Sequence, residues 1–139
     1  MTNSMTEPVF LDTAALVAIL NKSDQYHIQA VKTLSALLEV KSRFITTTYV
    51  FAETVTRILR RVSHEKAAAA GVRLREEKSI EIVSPGTEAI DEAWRIFIKY
   101  NDQNFSFVDC VSFAVMHQYS LTRAFTFDRH FTVMGFRLA

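Results

Sequence analysis

Short apolar runs alternate with longer amphipathic stretches along almost the whole chain, and that alternation leaves few folds open. Val9-Phe10-Leu11, Phe44 to Thr46, the Ile80, Ile82 and Val83 segment, and Ala124 to Phe127 have the length and side chains of buried strands. Between them lie stretches with helical spacing. Leu16, Ile19 and Leu20 form one, and Ile28, Val31, Leu34, Leu37 and Leu38 form the next after the polar Asn21 to Gln25 break. Val50, Phe51, Val55, Ile58 and Leu59 follow, then the helix-forming run from His64 to Lys78 with four consecutive alanines. Ala89, Ala93, Trp94, Phe97 and Ile98 make another, and Val111, Val115 and Met116 the last. Three glycines and two prolines are too few for a many-turned sandwich. Strand and helix in this order predict an α/β fold, with helices on both faces of a mainly parallel sheet.

At 139 residues the chain suits one domain spanning 1–139, able to bury roughly 68% of its unfolded surface without a staple. Cys110 is the only cysteine, which excludes an intrachain disulfide and a cysteine-rich zinc site. Its apolar neighbours predict a buried thiol. MTNSMTEPVF has neither a basic nor an apolar leader region, and no run approaches the ~18 apolar residues of a membrane span, so the expectation is a soluble cytoplasmic protein. Net charge is only +1, but Arg57, Arg60, Arg61, Lys66, Arg73, Arg75 and Lys78 outnumber Glu65, Glu76 and Glu77 in one helical arm. Such an arm suits a polyanion, and equally a solvated helix surface with i,i+4 pairs.

Four acids stand where strands end or helices begin: Asp12, Glu53, Asp109 and Asp128. Strand C-termini of a parallel sheet share one edge, where ligands bind, so these distant carboxylates are expected to converge. Crowded carboxylates repel unless a cation neutralises them, and hard oxygen donors select Mg²⁺ or Mn²⁺. Each acid also has a plainer role available. Asp12 could cap a helix together with Thr13, Glu53 could pair with Arg57 at i+4, and Asp128 could cap a short turn. Ser106-x-x-Asp109 has the form of a capping box, which does not prevent metal binding, because the helix dipole favours an ionised Asp109. His27, His64, His117 and His130 lack zinc-motif spacing and read as surface or core-edge histidines. Asp24 and Asp102 read as turn residues. No Gly-rich phosphate loop, nucleophile elbow or Asp-x-Asp follows the first strand, where Ala14 takes the second position.

Five segments in order carry a resemblance: Val9-Phe10-Leu11-Asp12-Thr13; Asp24-x-x-His27-x-x-Ala30; Thr47-Thr48-Tyr49-Val50-Phe51-Ala52-Glu53; Asp102-x-x-x-Ser106-Phe107-Val108-Asp109-Cys110; and Thr126-Phe127-Asp128-Arg129-His130-Phe131. Together, from about Val9 to Phe136, they resemble the PIN-domain ribonucleases, most closely the toxin subunits of VapBC-type toxin–antitoxin pairs. The resemblance implies a three-layer α/β/α sandwich, RNA phosphodiester hydrolysis with Mg²⁺ or Mn²⁺, a small antitoxin that blocks the site, and a homodimer. The four acids of the family fall on Asp12, Glu53, Asp109 and Asp128, with Thr13 and Thr126 flanking them.

On this reading Asp12 and Asp109 hold the principal ion. Glu53 and Asp128 complete the pocket through a second ion or bound water. Thr13 and Thr126 are expected to orient water or phosphate oxygens, and Arg57, Arg60 and Arg61 to meet the RNA backbone or the antitoxin. Two alternatives remain: a PIN-like module that binds RNA or protein without cutting, and a nuclease acting on DNA.

Overall fold

The computed structural model describes residues 7–139, so most of the stretch on which the leader reading rests, residues 1–6, lies outside the described residues. The chain runs β1 (Val9–Leu11), α1 (Thr13–Leu20), α2 (His27–Glu39), β2 (Phe44–Thr47), α3 (Thr48–Arg61), α4 (His64–Glu76), β3 (Ile80–Val83), α5 (Thr87–Lys99), α6 (Phe107–Gln118), β4 (Arg123–Phe125), α7 (His130–Val133) and β5 (Arg137–Leu138). The strands form one sheet in the order β3-β2-β1-β4-β5, with every pairing parallel. This is the expected α/β architecture. No helix among the described residues is long and apolar enough to cross a membrane.

Every residue of β1 and β2 is buried, as strands covered by helices on both faces must be. Phe10, Phe113, Phe125 and Phe131 are among the largest fully or almost fully buried side chains, and tilted and edge-to-face contacts link Phe10, Phe113 and Phe131. Cys110 lies within this core, and burial pushes its thiol up to about 11, so it packs as an apolar side chain.

The chain moves outward from β1 to β2 and β3, then returns to place β4 on the other side of β1. The strand order therefore reverses beside the C-terminal ends of β1 and β4, where open parallel sheets bind ligands.

Three features differ from the periodicity. Strand β4 stops at Phe125, so Thr126 to Asp128 form an irregular turn, not the end of a strand. Helix α7 and the two-residue β5 have no apolar run to announce them. Strand β5 exists because Arg137 N–H donates to Thr122 and Ala139 N–H donates to Ala124, at 2.8 and 2.9 Å. Finally, α5 buries Ala89, Ala93 and Ile96, while Trp94, Phe97 and Ile98 are 55%, 40% and 56% exposed. Two alanines a turn apart let α5 lie close against α6, and that contact turns the bulkier residues outward.

Candidate active site

Asp12 follows β1 directly and occupies the cap position of α1, yet its side chain makes no capping hydrogen bond. Its carboxylate instead accepts from the Thr126 hydroxyl at 2.7 Å, which links the ends of β1 and β4 across the point where the strand order reverses. Asp12 is only 4% exposed. Burial pushes its carboxyl up to about 7, the charges of Asp109 and Asp128 push the same way, and the Thr126 bond only partly opposes them.

Asp109 keeps both roles open to it. The Ser106 hydroxyl accepts from Asp109 N–H and the Asp109 carboxylate accepts from Ser106 N–H, each at 3.0 Å, which is a complete capping box. The box fixes the carboxylate at the start of α6 and leaves its other lone pairs facing the cleft. Burial raises its pKa, the Ser106 and His130 hydrogen bonds work against that, and Asp128 adds to the rise.

Asp128 sits in the turn after β4. Its N–H donates to the Thr126 hydroxyl at 2.9 Å, and its carboxylate accepts from His130 N–H at 2.9 Å. The turn-capping role is therefore real. Thr126 does two jobs with one hydroxyl, holding Asp12 through its proton and Asp128 through its lone pair.

Glu53 reaches the cleft from α3. It accepts from the Thr13 hydroxyl at 2.6 Å and lies 3.3 Å from the Arg57 guanidinium, so the i,i+4 pair exists beside the site contact. Both charged partners are partly exposed, and such a pair adds little stability. The buried-end bond to Thr13 does more to orient the carboxylate.

All four acids line one cleft of about 220 Å³, together with Thr13, Arg57, Ser106 and His130. Arg60 faces an adjoining depression with Tyr49 and Arg57, and Arg61 is exposed at the end of α3. Both threonine hydroxyls, Thr13 and Thr126, donate to carboxylates of the cleft.

His130 was read from the sequence as a peripheral histidine, and the fold puts it inside the cluster. Its Nδ1 lies 3.1 Å from Asp109 and 3.2 Å from Asp128, and its ring packs edge-on against Phe105. Among the described residues, Asp109, Asp128 and His130 each present a donor atom within 4.8 Å of the other two, a spacing able to hold a metal ion. This group shares Asp109 with the expected Asp12 and Asp109 pairing and adds His130. The signal available was Asp128-x-His130 in a turn, which a search for helical zinc spacings does not register.

The donor chemistry fits a divalent cation. Four carboxylates and one imidazole surround a cleft in which Asp12 is held against ionisation by burial and by its neighbours, a cost that a cation would remove.

Comparison with known proteins identifies the family. The family model described as PIN domain matches residues 9–137. The chain is 33% identical over 129 residues to the 23S rRNA-specific endonuclease VapC20 of Mycobacterium tuberculosis, an alignment covering 92% of this chain and 95% of the relative. Among solved structures, that of M. tuberculosis VapC20, described as a sarcin–ricin loop cleaving toxin, superposes with a TM-score of 0.83 at 29% identity, over 92% of this chain and 95% of the other. A VapBC2 structure from Rickettsia felis, bound to promoter DNA, matches in fold, with a TM-score of 0.70 at 14% identity over 94% and 96% of the two chains. With the strand order, the acid cleft and a match across nearly its whole length in agreement, the chain belongs to the PIN-domain family.

Proposed function

We propose that this protein is a divalent-metal-dependent endoribonuclease that hydrolyses RNA phosphodiester bonds and acts as the toxin of a toxin–antitoxin pair. The observation that carries the reading is the convergence of Asp12, Glu53, Asp109 and Asp128 in one cleft at the reversal point of a parallel sheet. The relationship to a 23S rRNA-specific endonuclease over almost the full length of both chains supports ribosomal RNA as the substrate class. The fold shared with VapBC structures supports a small antitoxin partner, and a homodimer is what the resemblance to PIN-domain toxins alone implies.

Asp109, Asp128 and His130 would hold the ion, with Asp12 and Glu53 closing the remaining sides of the cleft. A bound Mg²⁺ or Mn²⁺ supplies water activation near neutral pH and charge neutralisation at a phosphate oxygen. The protein's own groups supply orientation. Thr126 holds Asp12 and Asp128 in one arrangement, the Ser106 capping box holds Asp109, and Thr13 holds Glu53. Arg57, paired with Glu53 at the cleft wall, would meet a phosphate of the entering RNA backbone.

The direct test incubates the protein with a quenched fluorescent RNA hairpin and with purified ribosomal RNA, in Mn²⁺ or in EDTA. Cleavage in Mn²⁺ alone is expected. Equal cleavage in EDTA, or none with either RNA, would remove the nuclease reading.

His130 carries a second expectation. An imidazole among carboxylates suits Mn²⁺ better than Mg²⁺, which prefers oxygen donors throughout. His130→Ala should therefore weaken Mn²⁺ binding by at least about tenfold and Mg²⁺ binding less, measured by titration calorimetry. An unchanged Mn²⁺ affinity would exclude the ring from the ligand set.

A further inference from the structure

Next to the acid cluster, an aromatic ladder rises from the core and ends on an open face. Phe125, 2% exposed at the end of β4, meets Phe127 edge-on, with centroids 6.2 Å apart and planes at 69°. Phe127 in turn lies flat against Tyr26, at 4.6 Å and 5°. Tyr26 is 40% exposed, and among the described residues Phe127 is the one ring that pairs with it.

We propose that Tyr26, backed by Phe127, is a stacking platform for an unpaired base of the RNA strand beside the acid cluster. The inference rests on the nuclease reading for its position in a reaction, while RNA binding by Tyr26 can be measured separately.

Position is the first argument. Phe127 is the residue between Thr126 and Asp128, both of which are engaged with the site acids. The Tyr26 contact therefore brings the start of α2 to the same edge of the sheet as the acids. RNA lying in the acid cleft passes this edge.

Rigidity is the second argument. Asp24 accepts from Tyr26 N–H at 2.8 Å through its side chain and from His27 N–H at 3.0 Å through its carbonyl. His27 Nδ1 lies 2.7 Å from the Ala18 carbonyl, which ties the start of α2 to α1. The ring is thus held before any ligand arrives, and a prepositioned aromatic loses little entropy on binding.

The surroundings favour nucleic acid over a protein partner. Lys22, Ser23, Gln25 and Gln29, next to Tyr26 in the chain, are exposed and polar, Ile28 among them is apolar and 84% exposed, and the exposed Arg129 follows Asp128 along the adjoining cleft. An exposed ring with mostly polar chain neighbours and a cation nearby is the pattern of single-strand binding, where bases stack on aromatics and the backbone meets positive charge. A protein-docking face would need a contiguous apolar patch.

The test uses the Asp109→Asn protein, so that RNA is not consumed, and measures affinity for a fluorescein-labelled single-stranded RNA by polarisation. Adding Tyr26→Ala should weaken binding roughly tenfold to a hundredfold. Tyr26→Trp and Tyr26→Phe should retain affinity. Tyr26→Leu, which keeps an apolar contact with Phe127 but lacks a ring, should lose affinity as alanine does.

RNAs with one abasic nucleotide, moved along the strand, should reveal a position where the abasic loss and the Tyr26→Ala loss do not add. With Asp109 intact, Tyr26→Ala should raise KM for cleavage and leave kcat nearly unchanged. Affinity of Tyr26→Ala within twofold of its parent overturns the platform. Losses that are equal for Phe and Ala, or additive with every abasic position, also overturn it. Metal-dependent cutting alongside a silent Tyr26→Ala sinks the platform alone. Ring-dependent RNA binding without any cutting sinks the nuclease reading and leaves the platform standing.

Discussion

An Asp12→Asn protein is expected to lose at least about a hundredfold in RNA cleavage, yet to melt above the wild type in metal-free buffer at pH 8. Both effects come from one carboxylate. Asp12 is buried, carries a pKa raised from 3.8 to about 7, and shares its surroundings with Asp109 and Asp128. At pH 8 it is mostly ionised, and ionisation inside the fold is disfavoured by about three pKa steps, on the order of 4 kcal/mol. Asparagine has the same shape without that charge. The Thr126 hydroxyl can still donate to its amide oxygen.

The substitution thus exchanges activity for stability, as expected where charges are crowded to receive a cation. Cleavage assays and thermal melts of the two proteins side by side decide the matter. Normal cleavage by Asp12→Asn would show that Asp12 is not a metal-site acid, and a lower melting temperature than wild type at pH 8 would show that it is not a strained charge.

The second large effect is the dependence of stability on pH. Burial raises the pKa of both Asp12 and Asp109 in the folded protein. Between about pH 4 and 7 the fold therefore retains protons that the unfolded chain has released. Stability of the metal-free protein should fall as pH rises through that window and level off above it. Glu7 acts in the opposite sense. Slight burial raises its carboxyl, but the Thr122 backbone and hydroxyl bonds outweigh this and hold it low, and its exposure keeps the contribution small.

Mn²⁺ competes with protons for the same carboxylates, so it should raise the melting temperature by several degrees more at pH 8 than at pH 5. Melts in EDTA and in Mn²⁺ from pH 5 to 8 provide the comparison. A metal-free melting temperature that climbs across this range, or a Mn²⁺ effect independent of pH, would contradict the proposed cause.

The acids were readable because each is tied to a local event. Asp12 follows three apolar residues, Asp109 stands three residues after a capping serine, and Asp128 follows the last buried strand. Local stereochemistry places such residues at element ends whatever the partners are. The resemblance to PIN-domain ribonucleases rested on the same short segments, and their order along the chain made it specific.

Other features depended on what lies across the fold. Whether α5 buries Trp94 or Ala93 follows from how closely α6 approaches, not from the 3.6-residue period, which both faces satisfy in part. Likewise β5 takes its existence from hydrogen bonds to β4, and its exposed Arg137 and Leu138 give no alternating pattern to read.

By itself, the sequence determined an α/β chain with a mainly parallel sheet and an acid at each of several element ends, because strand length, helical period and capping are properties of neighbouring residues. Only the tertiary structure decided which groups touch. The order β3-β2-β1-β4-β5 sets β1 beside β4, and so gives Asp12 its Thr126 bond across 114 residues, brings Glu53 to Thr13 across 40, and seats His130 between Asp109 and Asp128. Hydrogen bonds of about 3 Å and the burial that raises the pKa of Asp12 arise from packing between distant segments, and no local pattern encodes them.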